Sequence, residues 1–277
     1  MLRRCSFLAL AALGVLWSAP KLSIEQAFFQ QFEDGPPQAI DYRYNPGETV
    51  HFSFHIAGFA RSSDDQVRIL YRILVRDPQG VDVVKPIEGH LDTTLSPEDK
   101  HWTPIVRDNF ALPPLAAAGV YQVFLSAKDE IGGAGAETAM SFQVAGDTVV
   151  PSNTLTVRNF RFLRSESAPQ PVETPAYRPG DTVWAKFDMT GYKFGENNRF
   201  EIGYGIQVLT PDGKVNYSQP EAATATNQSF YPQRSTPAEL SVVLPKDLPT
   251  GEYTLVLTVH DKIGGQTYET RQKFSVE

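Results

Sequence analysis

The sequence predicts an all-β protein built as two tandem antiparallel β-sandwiches. Three observations carry that prediction: a self-repeat at a near-constant offset, rows of alternating apolar residues, and turn chemistry between the rows. Pro46-Gly47-Glu48-Thr49-Val50 returns 133 residues on as Pro179-Gly180-Asp181-Thr182-Val183, and Pro78-Gln79-Gly80 returns as Pro211-Asp212-Gly213. Gly119-Val120-Tyr121, Asp129, Gly132-Gly133 and Phe142-Gln143-Val144 return 132 residues on as Gly251-Glu252-Tyr253, Asp261, Gly264-Gly265 and Phe274-Ser275-Val276. One residue of drift over a whole unit marks two copies of one structure. The period is far longer than the roughly 20–50 residues of solenoid repeats, so each copy is a domain with its own core.

Strand patterns fill each copy. In the first, Val50, Phe52, Phe54 and Ile56 form one inward row, and Val67, Ile69, Tyr71, Ile73 and Val75 form a second. Tyr121, Val123, Leu125 and Ala127 form a third. The second copy matches them with Val183, Ala185, Phe187, Met189; Phe200, Ile202, Tyr204, Ile206, Val208; and Tyr253, Leu255, Leu257, Val259. Period-2 alternation buries one face of each strand and leaves the other outside. In the second copy the expected strands are 155–163, 182–190, 199–209, 214–218, 239–245, 252–260 and 266–276. The stretches 219–238 and 86–104 are irregular.

Turns separate the rows. Asp77-Pro78-Gln79-Gly80 and Thr210-Pro211-Asp212-Gly213 place Pro second and Gly fourth, a type I preference. Ile131-Gly132-Gly133 and Ile263-Gly264-Gly265 supply positive φ for tight hairpins. Domains are expected over 20–146 and 147–277, joined by a polar linker at about 145–154.

Seven strands per copy with this patterning read as an immunoglobulin-like sandwich. Leu112-Pro113…Gly119-Val120-Tyr121 and Leu244-Pro245…Gly251-Glu252-Tyr253 add the signature of a tyrosine corner, in which the phenol bonds backbone at a Greek-key crossover. The string Tyr177-Arg178-Pro179-Gly180-Asp181-Thr182-Val183, then Pro211-Asp212-Gly213, then Leu244 to Tyr253, resembles bacterial macroglobulin-type or fibronectin-type-III-like modules. The resemblance spans 21–277 and implies a fold. It implies no protease-trap activity, because the chain lacks both the length and the Cys-Gly-Glu-Gln thioester.

Residues 1–19 read as a signal peptide: Arg3-Arg4 precede an apolar stretch, Phe7 to Trp17, too short for the ~20 residues of a membrane span. Cys5, the only cysteine, lies ahead of that stretch, so the exported chain carries no disulfide, as suits a bacterial envelope protein. The expected place is periplasmic, cell-surface or secreted, with membrane contact only through an uncleaved signal segment. Residues 21–145 carry 10 Lys+Arg against 17 Asp+Glu, which argues against a nucleic-acid partner; residues 155–277 are nearly neutral, at 13 against 14.

No catalytic motif stands out. Gly-x-Ser-x-Gly, His-Glu-x-x-His and phosphate-loop patterns are absent. His51 and His55 share a strand face but sit about 13 Å apart, a poor spacing for a metal. Asp129 and Asp261 open the two Asp-x-Ile-Gly-Gly hairpins, and a turn-capping role suits them better than calcium, which needs roughly six or more oxygens. No metal or cofactor is expected. Arg68, Arg72 and Arg76 form a stripe that could hold an anionic group, although pairing with nearby carboxylates is the simpler reading. Trp184 points outward, and Tyr192 and Phe194 occupy a loop; these are candidates for a ligand platform or for an interdomain seal. Gly203 and Gly205 leave a trough on one strand, to be filled by a ligand or by the chain's own Phe230-Tyr231. The expected function is an exported, non-catalytic binding or structural module with a protein partner. The alternatives are a carbohydrate-binding accessory protein and an enzyme or inhibitor with a loop-built site.

Overall fold

The computed structural model describes residues 21–99, 101–146, 149–168 and 170–277. The expected signal segment lies outside the described residues, as does part of the linker. In the first domain the strands are β1 (Ser23–Gln30), β2 (Arg43–Tyr44), β3 (Thr49–Ala57), β4 (Gln66–Arg76), β5 (Ile87–Thr94), β6 (Ile105–Ala111), β7 (Gly119–Asp129) and β8 (Gly135–Val144). The second domain repeats them as β9 (Thr156–Leu163), β10 (Ala176–Tyr177), β11 (Thr182–Thr190), β12 (Phe200–Leu209), β13 (Val215–Asn227), β14 (Ser235–Val243), β15 (Gly251–Asp261) and β16 (Gln266–Val276).

Each domain packs a three-stranded sheet on a five-stranded one. The orders are β1-β3-β6 with β2-β8-β7-β4-β5, and β9-β11-β14 with β10-β16-β15-β12-β13. The two topologies are the same, as two copies of one unit require. The inward rows of the sequence line both cores: Val50, Phe52, Phe54 and Ile56 are wholly buried, and the facing rows are buried as well apart from Tyr71, which is partly buried. The only helical element among the described residues is a 3-10 turn, Glu196–Asn198. No helix among them is long and apolar enough to cross a membrane.

Three local expectations change. Each domain has eight strands, because the two-residue β2 and β10 pair in parallel with the ends of β8 and β16. The irregular stretch 86–104 contains β5, and β13 runs on to Asn227. Both are edge strands with one free side, so little burial enforces apolar alternation and the sequence signal is weak.

The turn and corner chemistry appears where the sequence places it. Gly80 and Gly213 close their turns through N–H bonds to Asp77 O and Thr210 O at 2.9 and 2.8 Å. Tyr121 Oη donates to Ala117 O, and Tyr253 Oη to Pro249 O, each at 2.8 Å. The same offset of four residues in both copies makes them equivalent corners.

Candidate functional site

A broad concavity lies on the outer face of the first domain's five-stranded sheet. A trough of about 820 Å³ runs over Leu70, Arg72, Gly89, Ser126, Gly135 and Glu137. Strand alternation turns Leu70 and Arg72 outward, and Leu70 stays 42% exposed. Gly89 narrows β5 for a packing reason: the ring of Tyr71 covers it, and a Cβ there would lie 2.2 Å from that ring.

The arginine stripe borders this trough, and its cations are paired. Arg68 meets Asp92 at 3.8 Å, Arg72 meets Glu88 at 3.2 Å, and Arg76 meets Asp82 at 3.1 Å. The Arg76 guanidinium also lies 5.3 Å from the Phe124 ring centroid. The partners are solvent-washed, so each pair contributes about 0–1 kcal/mol. An acidic group could replace any of these carboxylates, so the stripe is a charged rim more than a preformed anion pocket.

The second domain fills the equivalent space with its own chain. Gly203 and Gly205 stand where Leu70 and Arg72 stand in the first copy. A bulge in β13 lies over Gly205, where a Cβ would be 2.0 Å from Pro220 O. The Lys262 side chain passes Gly203, with its Cε 3.3 Å from where a Cβ would lie. The filler is thus Gln219-Pro220 and Lys262, not Phe230-Tyr231. Close backbone approach is what keeps glycine at 205.

The predicted aromatics part company. Trp184 is half-buried on the outer face of β11, between Leu163 and Ser241. Tyr192 is buried instead of exposed. Its hydroxyl bonds Gln233 O and meets Thr236 Oγ1 at 2.9 Å, and its ring packs on Phe200 at 4.8 Å between centroids. Burial pushes its pKa up. Phe194 packs partly buried against the same core. The loop that carries both rings folds back because these large apolar rings stabilise it more inside than in water.

The polar candidates are structural where their contacts are defined. Asp129 Oδ1 accepts from Ile131 N and Gly132 N at 2.9 and 3.0 Å, and Oδ2 accepts from Ala60 N at 2.7 Å. Asp261 repeats this with Ile263 N, Gly264 N and Lys193 N at 3.0, 2.8 and 2.9 Å. Each carboxylate caps its hairpin and staples a second loop to it. His51 and His55 stand on β3 opposite Asn109 and Ile105. No group of three or more metal-ligating side chains occurs among the described residues.

A buried polar cluster joins the domains. Tyr231, from the loop between β13 and β14, enters the first domain's core. It donates to Asp77 Oδ2 at 2.9 Å, while Arg234 reaches the same oxygen at 3.4 Å and Gln79 Oε1 at 3.0 Å. Asp77 Oδ1 accepts from Gln79 N and Val81 N at 2.9 and 2.8 Å. Sequence reasoning assigned Asp77 to the turn alone. The usable signal was a break in the repeat, because the second copy has Thr210 where the first has Asp77.

No family model matches the chain, and no curated protein matches it. Among solved structures, it is similar to the C-terminal domain of the Streptococcus pyogenes antigen I/II-family protein AspA, with TM-score 0.33, 11% identity, and 94% of this chain and 100% of that one covered. It is also similar to the C-terminal domain of the Streptococcus agalactiae AgI/II polypeptide BspA, with TM-score 0.30, 11% identity, and 92% and 99% covered. A family 123 glycoside hydrolase from Clostridium perfringens gives TM-score 0.31 and 12% identity over 45% of this chain and 27% of that one. Shared function does not follow from TM-scores this low.

Proposed function

We propose that this chain is an exported, non-catalytic binding module that engages a protein partner through the outer face of the first domain's five-stranded sheet. The trough over Leu70 and Arg72 carries the reading. It is broad and open, has apolar and charged walls, and is filled by the chain itself only in the second copy. Exposed apolar surface rimmed by charge suits protein recognition.

Export rests on Arg3-Arg4 and the apolar stretch after them.

The test is affinity capture from bacterial envelope extract with the mature chain. The variant Leu70→Asp with Arg72→Glu is expected to lose the captured protein, and Trp184→Ala to keep it. Capture that survives the first variant and fails in the second would move the site to the second domain. Retention of a defined glycan in place of a protein would favour the carbohydrate-binding alternative.

A further inference from the structure

A second concavity, of about 560 Å³, wraps one edge of the first domain. It follows β8, with Met140 and Phe142 on the inner side of that strand and Val120, Ser141 and Gln143 on the outer side. Phe29, Tyr42 and the fully exposed Ile40 complete its apolar walls.

The strand edge inside it is open. β2 pairs with β8 only at Gln143 and Val144, so Gly135–Phe142 has no strand on that side among the described residues. Ala145 N donates to Tyr44 O, which fixes the alternation. Gly135, Glu137, Ala139 and Ser141 therefore turn their backbone N–H and C=O groups away from β7 along the free edge, and of these Ser141 lies within the concavity.

One side chain is also unsatisfied. Tyr44 is 4% exposed, and its hydroxyl is buried without a hydrogen bond, with the Gln38 side chain close enough to influence it. Buried hydroxyls are nearly always bonded, so an orphan in a cavity wall is a donor still free to meet an acceptor. The other copy leaves the equivalent edge of β16 equally unpaired but satisfies the hydroxyl. Tyr177, the counterpart of Tyr44, donates to Leu163 O at 3.3 Å, and Arg164 stacks over its ring at 5.3 Å. Val172 bonds Phe162 O at 2.8 Å and packs into that core.

We propose that the edge of β8 takes up an extended peptide segment of a partner protein as an added strand, with an apolar side chain in the crevice and an acceptor on Tyr44 Oη. The backbone edge selects extended polypeptide, because only a strand matches alternating donors and acceptors at strand spacing. The concavity on both sides of that edge matches side chains that alternate inward and outward. The chain already uses the mode, since β2 adds to β8 in parallel one residue beyond the opening. This inference does not depend on the proposed function, although the far end of the same edge, at Gly135 and Glu137, also borders the trough.

The test pans a random-peptide display library on the full chain, followed by affinity measurement with enriched synthetic peptides. Ser141→Pro removes an outward N–H that has no partner in the fold, and edge positions tolerate proline. It is expected to weaken binding by about tenfold or more, since both a bond and the approach of the peptide are lost. Lys273→Pro, the same position in the second domain, is expected to leave binding unchanged. Tyr44→Phe is expected to weaken binding by about fivefold without loss of fold. Amide exchange at Glu137, Ala139 and Ser141 is expected to slow when peptide is bound. The proposal fails if no peptide is enriched, or if enriched peptides bind Ser141→Pro as well as wild type. It fails equally if binding is lost in Leu70→Asp and kept in Tyr44→Phe and Ser141→Pro. Should Ser141→Pro not fold, Ile40→Asp with Tyr44→Phe gives the same discrimination.

Discussion

Tyr231 of the second domain hydrogen-bonds Asp77 of the first at 2.9 Å, inside the first domain's core. The bond joins residues 154 apart in sequence and lies beside the corner hydroxyl of Tyr121. Burial raises the pKa of Tyr231, so it stays a neutral donor. The seam is therefore part of the fold of domain one. Tyr231→Phe leaves Asp77 Oδ2 with only the longer Arg234 contact and is expected to cost about 1.5–3 kcal/mol, the range for a bond to a charged group. Tyr231→Ala adds a cavity and is expected to cost roughly 3–5 kcal/mol. Calorimetry and solution scattering check both: the first domain's transition moves down and the domains loosen. An unchanged scattering profile with Tyr231→Ala would remove the seam from consideration.

Separated halves should differ in stability for the same reason. Segments 20–146 and 150–277 each carry a full set of inward rows and are expected to melt cooperatively. The first should melt lower than it does in the intact chain, because Tyr231 is missing from its core. A non-cooperative melt in either half contradicts independent folding.

The corners give a second stability test. Tyr253→Phe loses one hydrogen bond and is expected to cost about 1 kcal/mol. Tyr253→Ala empties a core site and is expected to cost roughly 3–5 kcal/mol. Denaturant midpoints for the same changes at Tyr121 should follow the same order. If Tyr253→Ala leaves the midpoint in place, the corner assignment is wrong.

Gly205→Ala tests the filled trough. The new methyl group would meet Pro220 O at 2.0 Å, so β13 must shift. The expected cost is about 1–3 kcal/mol, as for overpacking elsewhere. The equivalent outward position in the first domain already carries Arg72, and Arg72→Ala is expected to change stability by less than about 1 kcal/mol.

Alkali should unfold the chain through its tyrosines. Burial pushes Tyr44 and Tyr121 up to about 12 from an ordinary value of 10.0. The unfolded chain then releases protons first. Stability is complete below pH 10 and is lost as pH rises through 10 toward 12. Phenolate absorbance should rise in two stages, the exposed tyrosines first and the buried ones together with unfolding. A single unperturbed titration near pH 10 contradicts the burial of these hydroxyls.

What the sequence determined by itself was the repeated sandwich. Strand rows such as Val50 to Ile56, the turns at Gly80 and Gly213, and the corners at Tyr121 and Tyr253 arise from local alternation and fixed short offsets, and these survive in one dimension. Edge strand β5 and the far part of β13, beyond the expected 214–218, escaped because one free side relaxes the pattern. Only the tertiary structure decided which surfaces stay open. Gly205 and Arg72 occupy equivalent positions, yet one lies under Pro220 and the other borders a trough. Tyr44 and Tyr177 are equivalent as well, yet only Tyr177 finds a partner. Tyr192 read as a loop aromatic and became core, and Tyr231 crossed into the neighbouring domain. Each outcome depends on which distant segment packs over a site, a choice made by contacts far apart in the chain and invisible to any local pattern.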